Sequence, residues 1–167
     1  MDFPRSLPKR KNICGIWFVL DAFCAYVPEL RKDIPPKIRI RQPPDCLPLL
    51  SPIRRALQEV FVVVTLDGVH QVIGVHEITK GLANQSQCHP RETYAPALED
   101  RAVAIMIAHN HPSGSLDPST DDLLTTRRLA DAGRLLGIPL IDHLIIGGEG
   151  FCSLRERFPD YFSPGAR

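Results

Sequence analysis

A chain of 167 residues is long enough to close one hydrophobic core. A formal net charge of +1 excludes a general electrostatic pull toward nucleic acid or an anionic membrane. The five cysteines, at positions 14, 24, 46, 88 and 152, are odd in number and lack CxxC spacing. They read as reduced thiols of a cytoplasmic protein, which excludes a disulfide framework or a cysteine-rich zinc site.

In chain order, residues 1–50 read as a Pro-rich, variable segment and linker, and residues 51–167 as the one domain. Lys9-Arg10-Lys11 precedes an apolar run from Ile13 to Val27, broken by Asp21. Charge followed by apolar residues is the order of a signal peptide, but the uninterrupted stretch is short and no small-residue cleavage site follows. It also falls short of the ~20 apolar residues of a membrane span. A segment packed on the domain, or the remnant of a lost one, is the preferred reading. Pro28, Pro35, Pro36, Pro43, Pro44 and Pro48 then mark a linker, made locally basic by Arg31, Lys32, Lys37, Arg39 and Arg41. It reads as solvated chain in preference to a nucleic-acid arm.

Ser51-Pro52 has the form of a helix start, with Ser as N-cap and Pro at the first helical position. A short helix to Gln58 runs into a strand over 59–66, a hairpin turn at Asp67-Gly68 and a returning strand over 70–78. A loop over 79–89 precedes a helix over 91–100, opened by Pro90, with Tyr94 and Leu98 sharing a face. Residues 102–108 are small and branched apolar residues, as in a strand buried on both faces. Pro112, Gly114 and Pro118 impose a loop. A helix over 120–136 follows, with Leu123, Leu124, Leu129, Ala132, Leu135 and Leu136 as its apolar stripe and Gly137 as its C-cap. A strand over 138–146, a glycine turn, a short strand from Phe151 and an aromatic tail over 155–162 complete the chain. The order strand, strand, helix, strand, helix, strand, strand predicts an α/β domain: a mixed sheet with helices packed against it. No GxGxxG or GxxxxGK[ST] is present, so no nucleotide cofactor is indicated.

The chemistry concentrates at the end of the 102–108 strand. His109 and His111 stand two apart, so in extended chain both rings point the same way. Ser119 sits at the N-cap of the next helix and Asp122 in its first turn. If the loop folds back, two ring nitrogens and one carboxylate oxygen converge. That is the three-ligand set of a catalytic zinc with one position left for water, whose pKa such an ion lowers to about 7. Ser119-x-x-Asp122 is equally an ordinary capping box, and two histidines at a strand end are often plain loop residues. The combined spacing of His109, His111, Ser119 and Asp122 favours a metal.

The same string, His-x-His-x7-Ser-x2-Asp, resembles the JAMM motif of the JAB/MPN metalloproteases. His109-Asn-His-Pro-Ser-Gly114, Cys88-His-Pro-Arg-Glu92, Thr125-Thr-Arg-Arg-Leu129 and Ile141-Asp-His-Leu-Ile-Ile146 resemble the family's RadC-like branch, over about residues 51–157. Gly81-Leu82-Ala83-Asn84 departs mildly from that branch's usual Gly-Thr-Leu-Asn. The resemblance implies a JAB/MPN-like, cytidine-deaminase-like sheet, a Zn2+ on His109, His111 and Asp122, and a general base upstream. Glu59 matches that base in position, and Glu92 and Glu77 are the alternatives. It also implies that Ser119 supports a tetrahedral intermediate. His89 and Arg91 are candidates for lining the cleft or for simple capping. His143 and Ser153 are candidates for orienting a ligand, with a satisfied core position preferred for His143.

Two functions remain open at this level. One is a zinc-dependent hydrolase, in particular a metallopeptidase or isopeptidase with a protein or peptide substrate. The other is a DNA-repair-associated module, or an inactive metal-bearing interaction domain. Members of the branch usually carry a helix-hairpin-helix-like region N-terminally. The first fifty residues here show no Gly-centred hairpin, which weakens the DNA reading.

Overall fold

The computed structural model describes residues 38–81, 88–148 and 150–163. The apolar run Ile13–Val27, the linker prolines up to Pro36 and the unusual Leu82-Ala83-Asn84 lie outside them.

Five strands form one mixed sheet: β1 (Val60–Leu66), β2 (Val72–Lys80), β3 (Ala104–Asn110), β4 (Leu140–Ile146) and β5 (Phe151–Ser153), in the order β2-β1-β3-β4-β5. β1 pairs antiparallel with β2 and β3, and β4 antiparallel with β5. β3 and β4 are parallel, and parallel neighbours need a crossover. Helix α3 (Thr120–Leu136) supplies it; α1 (Leu47–Arg54) and α2 (Pro90–Glu99) precede it, and α4 (Leu154–Arg157) follows β5.

Every residue of β1 and β3 is buried, as their apolar composition predicts for central strands covered on both faces. Alternation sorts the side chains into two cores. Val62, Val64, Met106 and Ala108 face α1, together with Ile40, Cys46 and Leu50. Phe61, Val63, Ile105 and Ile107 face α2 and α3, together with Tyr94, Ala97 and Leu129. The packed chain therefore begins before residue 51: Arg39 bridges to Gln71, and Pro43 and Pro44 form a 3-10 turn, Pro43–Cys46, instead of linker.

Several local expectations need correction. Ser51-Pro52 does not open α1; Pro52 lies inside it. Its missing N–H leaves the carbonyl of Pro48 free, and the Ser51 hydroxyl donates to that carbonyl (2.9 Å). The hairpin connection is five residues long, Asp67 to Gln71, and not a two-residue Asp67-Gly68 turn. Asp67 Oδ1 accepts from the amides of Val69 and Gln71 (2.9 and 2.8 Å), and the left-handed position is His70 (φ 60°) in place of Gly68. In α2, Tyr94 is buried but Leu98 is 56% exposed, so the two do not share an inner face.

The α3 stripe also differs. The inner face is Thr126, Leu129, Ala130 and Gly133, whereas Leu124, Leu135 and Leu136 are exposed. Small residues are selected because α2 lies close: the Tyr94 hydroxyl donates to the carbonyl of Leu129 (2.9 Å), directly over Gly133. Gly137 caps the helix in the left-handed region (φ 70°), as expected. Among the described residues no helix is long and apolar enough to cross a membrane.

Gly133→Ala tests this packing. Helix propensity alone favours alanine by ~1 kcal/mol. A Cβ at this position, however, overlaps the Tyr94 hydroxyl and stands 2.5 Å from the backbone oxygen of Ile138. The variant should lose about 1–3 kcal/mol in urea unfolding; an equal or higher midpoint would contradict the close approach.

Candidate metal centre

His109 is the penultimate residue of β3, and its ring stacks on Phe61 of β1 (centroids 6.3 Å apart, planes 12° apart). His111 lies just past the strand, where its amide still donates to Ile146 of β4 (3.0 Å). Backbone pairing thus carries the extended geometry beyond the strand end. The two Nε2 atoms stand 3.0 Å apart. The loop after them folds back and sets Asp122 Oδ1 3.3 Å from His109 Nε2 and Oδ2 3.6 Å from His111 Nε2. His109, His111 and Asp122 form the one metal-ligand group found among the described residues.

These separations match those of ligands around one metal ion. Ligand atoms about 2.0–2.1 Å from a tetrahedral centre stand roughly 3.3 Å from one another. The donor chemistry also fits. His111 Nδ1 donates to the carbonyl oxygen of Ser115 (3.0 Å), which only accepts, so a neutral His111 presents a lone pair at Nε2. Burial pushes the pKa of His109 down to about 4; the Asp122 carboxylate opposes that shift and His111 adds to it. A neutral, buried His109 beside the Asp122 side chain suits a divalent cation.

Ser119 and Asp122 serve the helix and the site together. The capping box is complete: the Asp122 amide donates to Ser119 Oγ (3.1 Å), and Ser119 N donates to Asp122 Oδ2 (2.7 Å). Ser119 Oγ also donates to Asp122 Oδ2 (2.7 Å), which leaves Oδ1 as the oxygen nearer His109. The capping and metal readings of this pair do not compete.

Glu59 lies in the short link between α1 and β1, two residues before Phe61, which faces the His109 side of the sheet. It is half-buried. Its carboxyl pKa is raised, first by burial and then by the Asp122 carboxylate, with His111 pulling the other way. Both site residues thus lie close enough to Glu59 to act on its charge. The alternatives are placed differently. Glu77 pairs with Val62, on the opposite sheet face from Phe61 and His109. The Glu92 carboxylate accepts from Arg91 Nε (2.8 Å). His89 is the N-cap of α2, accepting from the Arg91 amide, and Arg91 is exposed.

Two residues escaped the sequence reading. Asn110 turns away from its histidine neighbours and clamps the link that carries Glu59. Its Oδ1 accepts from the amide of Val60 (2.8 Å), and its Nδ2 donates to the carbonyls of Gln58 and Ala56 (3.2 and 3.3 Å). Thr126, one turn after Asp122, meets His143 (2.6 Å). The available signal was a polar residue at a position that strand or helix periodicity assigns to the interior. His143 is fully buried, as expected, but it is also the partner of His109 (2.8 Å). Ser153 lies elsewhere. It donates to the buried Asp142 (2.7 Å) and caps α4.

Fold and site together define a mixed α/β domain with a His-His-Asp group at one end of its central strands. A family model described as "RadC-like JAB domain" matches residues 40–158, and the chain belongs to that family. A UPF0758 protein of Clostridium perfringens is 45% identical over 122 residues, 72% of this chain and 54% of that protein. One from Methanospirillum hungatei is 46% identical over the same shares. One from Staphylococcus aureus is 44% identical over 121 residues, 72% of this chain and 56% of that protein. The chain thus spans about half the length of these relatives.

The histidines give the metal-free chain a pH signature. An unfolded histidine binds its proton near about pH 6.5, but folded His109 does so only near about 4, and His143 is also lowered, mainly by burial. Between those values the unfolded chain binds more protons, so stability falls on acidification through that window. With chelator present, the urea midpoint should drop between about pH 7 and about pH 5. The drop should be shallower in His109→Gln; equal slopes would contradict a neutral, buried His109.

Proposed function

We propose that the chain is a zinc-dependent hydrolase, and specifically a metallopeptidase or isopeptidase acting on a protein or peptide substrate in the cytoplasm. One observation carries this reading: two imidazole nitrogens and a carboxylate from separate parts of the chain converge at ligand spacing, with two of the three side chains partly open to solvent. Two nitrogens and one oxygen leave a coordination position for a reactant, which is the pattern of catalytic and not structural zinc. When bound there, the ion supplies Lewis acidity and lowers the pKa of water to about 7.

The chain's own residues supply the rest. A Glu59 carboxylate oxygen takes the proton of the attacking water and passes it to the leaving amine. The half-buried setting and the neighbouring Asp122 charge raise its affinity for that proton, which suits a base that must also act as an acid. Asn110 fixes the distance between base and ligands, because it bonds the Glu59 link to the strand that bears His109. Ser119 orients Asp122 at rest, and its hydroxyl, turned from the carboxylate, donates to the developing oxyanion.

The test combines metal analysis with a substrate panel. The purified chain should bind about one zinc, and His109→Ala and Asp122→Ala should lose it. Glu59→Gln should keep the metal while cleavage of peptides or ubiquitin-like isopeptides falls about 10²–10⁴-fold. Metal loss in Glu59→Gln would show that Glu59 is a ligand or a structural group and not the base.

A further inference from the structure

We propose that His143 and Thr126 are positioning residues that hold His109 in the one neutral tautomer able to bind a metal through Nε2. The inference rests on the metal-site reading above and extends it to two residues on other elements, β4 and α3.

The argument is a count of hydrogens along a buried chain. Thr126 Oγ1 is 2.6 Å from the carbonyl oxygen of Asp122 and 2.6 Å from His143 Nδ1. The carbonyl only accepts, so the single hydroxyl hydrogen is committed to it. Thr126 Oγ1 therefore accepts from His143, and His143 Nδ1 bears a hydrogen. His143 is fully buried, and its ring nitrogens meet a hydroxyl and an imidazole, while the neighbouring Asp142 carboxylate accepts from its backbone amide. A charge there would be costly, so the ring is neutral and its Nε2 carries a lone pair. That lone pair lies 2.8 Å from His109 Nδ1, which must then supply the hydrogen. His109 Nε2 is left with a lone pair aimed at His111 and Asp122.

Direction thus runs from His109 to His143 to Thr126 to the backbone of Asp122, which is itself a ligand residue. The relay is sealed. Phe61 stacks on His109 and meets His143 edge-on (5.9 Å, 68°), and Thr126 is buried. A histidine ligand commonly donates its outer N–H to a carboxylate or carbonyl, and loss of such a partner typically costs 10–100-fold in metal affinity. Here the acceptor is a second imidazole, which accepts at Nε2 because Thr126 holds its hydrogen on Nδ1.

Nitrogen-15 long-range correlation NMR on the full chain, metal-free, reads both tautomers directly. His109 should show hydrogen at Nδ1 and a bare Nε2, and His143 the same. Thr126→Val removes the acceptor and should let His143 exchange tautomers, so that His109 loses its single form. Zinc affinity, by chelator competition, should fall about 10–100-fold in Thr126→Val and His143→Leu and return to within about threefold in Thr126→Ser. A merely structural role would lower the unfolding midpoint without altering either tautomer. The proposal is overturned if wild-type His109 bears its hydrogen on Nε2, or if Thr126→Val leaves tautomers and zinc affinity unchanged. Absence of zinc binding in the wild type would sink the hydrolase reading instead, and the tautomer measurement would still decide this one.

Discussion

At the end of the central strands, two imidazole nitrogens and a carboxylate are held 3.0 to 3.6 Å from one another. Groups that present lone pairs to each other repel unless a proton or a cation lies between them. The burial of His109 makes the conflict sharper, because a low local dielectric screens it less. Each ring's outer nitrogen is occupied elsewhere, His111 on a backbone carbonyl and His109 on His143. The inward nitrogens cannot turn away without breaking those bonds.

The rest of the architecture serves that convergence. β1 and β3 are buried on both faces, so the register of Phe61 against His109 has no freedom to slip: a shift by one residue would move every apolar side chain to the other core. The parallel pairing of β3 and β4 sets His109 opposite Ile145 and brings His143 to the same interior. The crossover helix between them begins at the site, so one capping box both ends the loop and aims Asp122. Asn110 ties the Glu59 link to the same strand end, and the half-buried carboxyl of Glu59 lies within electrostatic reach of Asp122 and His111. Site and fold are held by the same hydrogen bonds.

The His-His-Asp cluster was legible because it is local: strand alternation aligns His109 and His111, and a single capping motif places Asp122. Element order was legible from periodicity and turn residues. What failed depended on neighbours. The leucines of α3 promised a wide apolar stripe, but the close approach of Tyr94 selects Ala130 and Gly133 for the inner face and leaves Leu135 90% exposed. Pro52 looked like a helix start because sequence does not reveal that Ser51 will satisfy the carbonyl the proline abandons. Asn110 and Thr126 were passed over because their partners are distant in the chain, Val60 at fifty residues and His143 at seventeen.

Zinc-edge anomalous diffraction on crystals grown with zinc addresses the central claim most directly. The account predicts one strong peak bonded to His109 Nε2, His111 Nε2 and an Asp122 oxygen at about 2.0–2.2 Å. A peak that engages His109 through Nδ1, one that lies away from these three residues, or no peak at saturating zinc would contradict it.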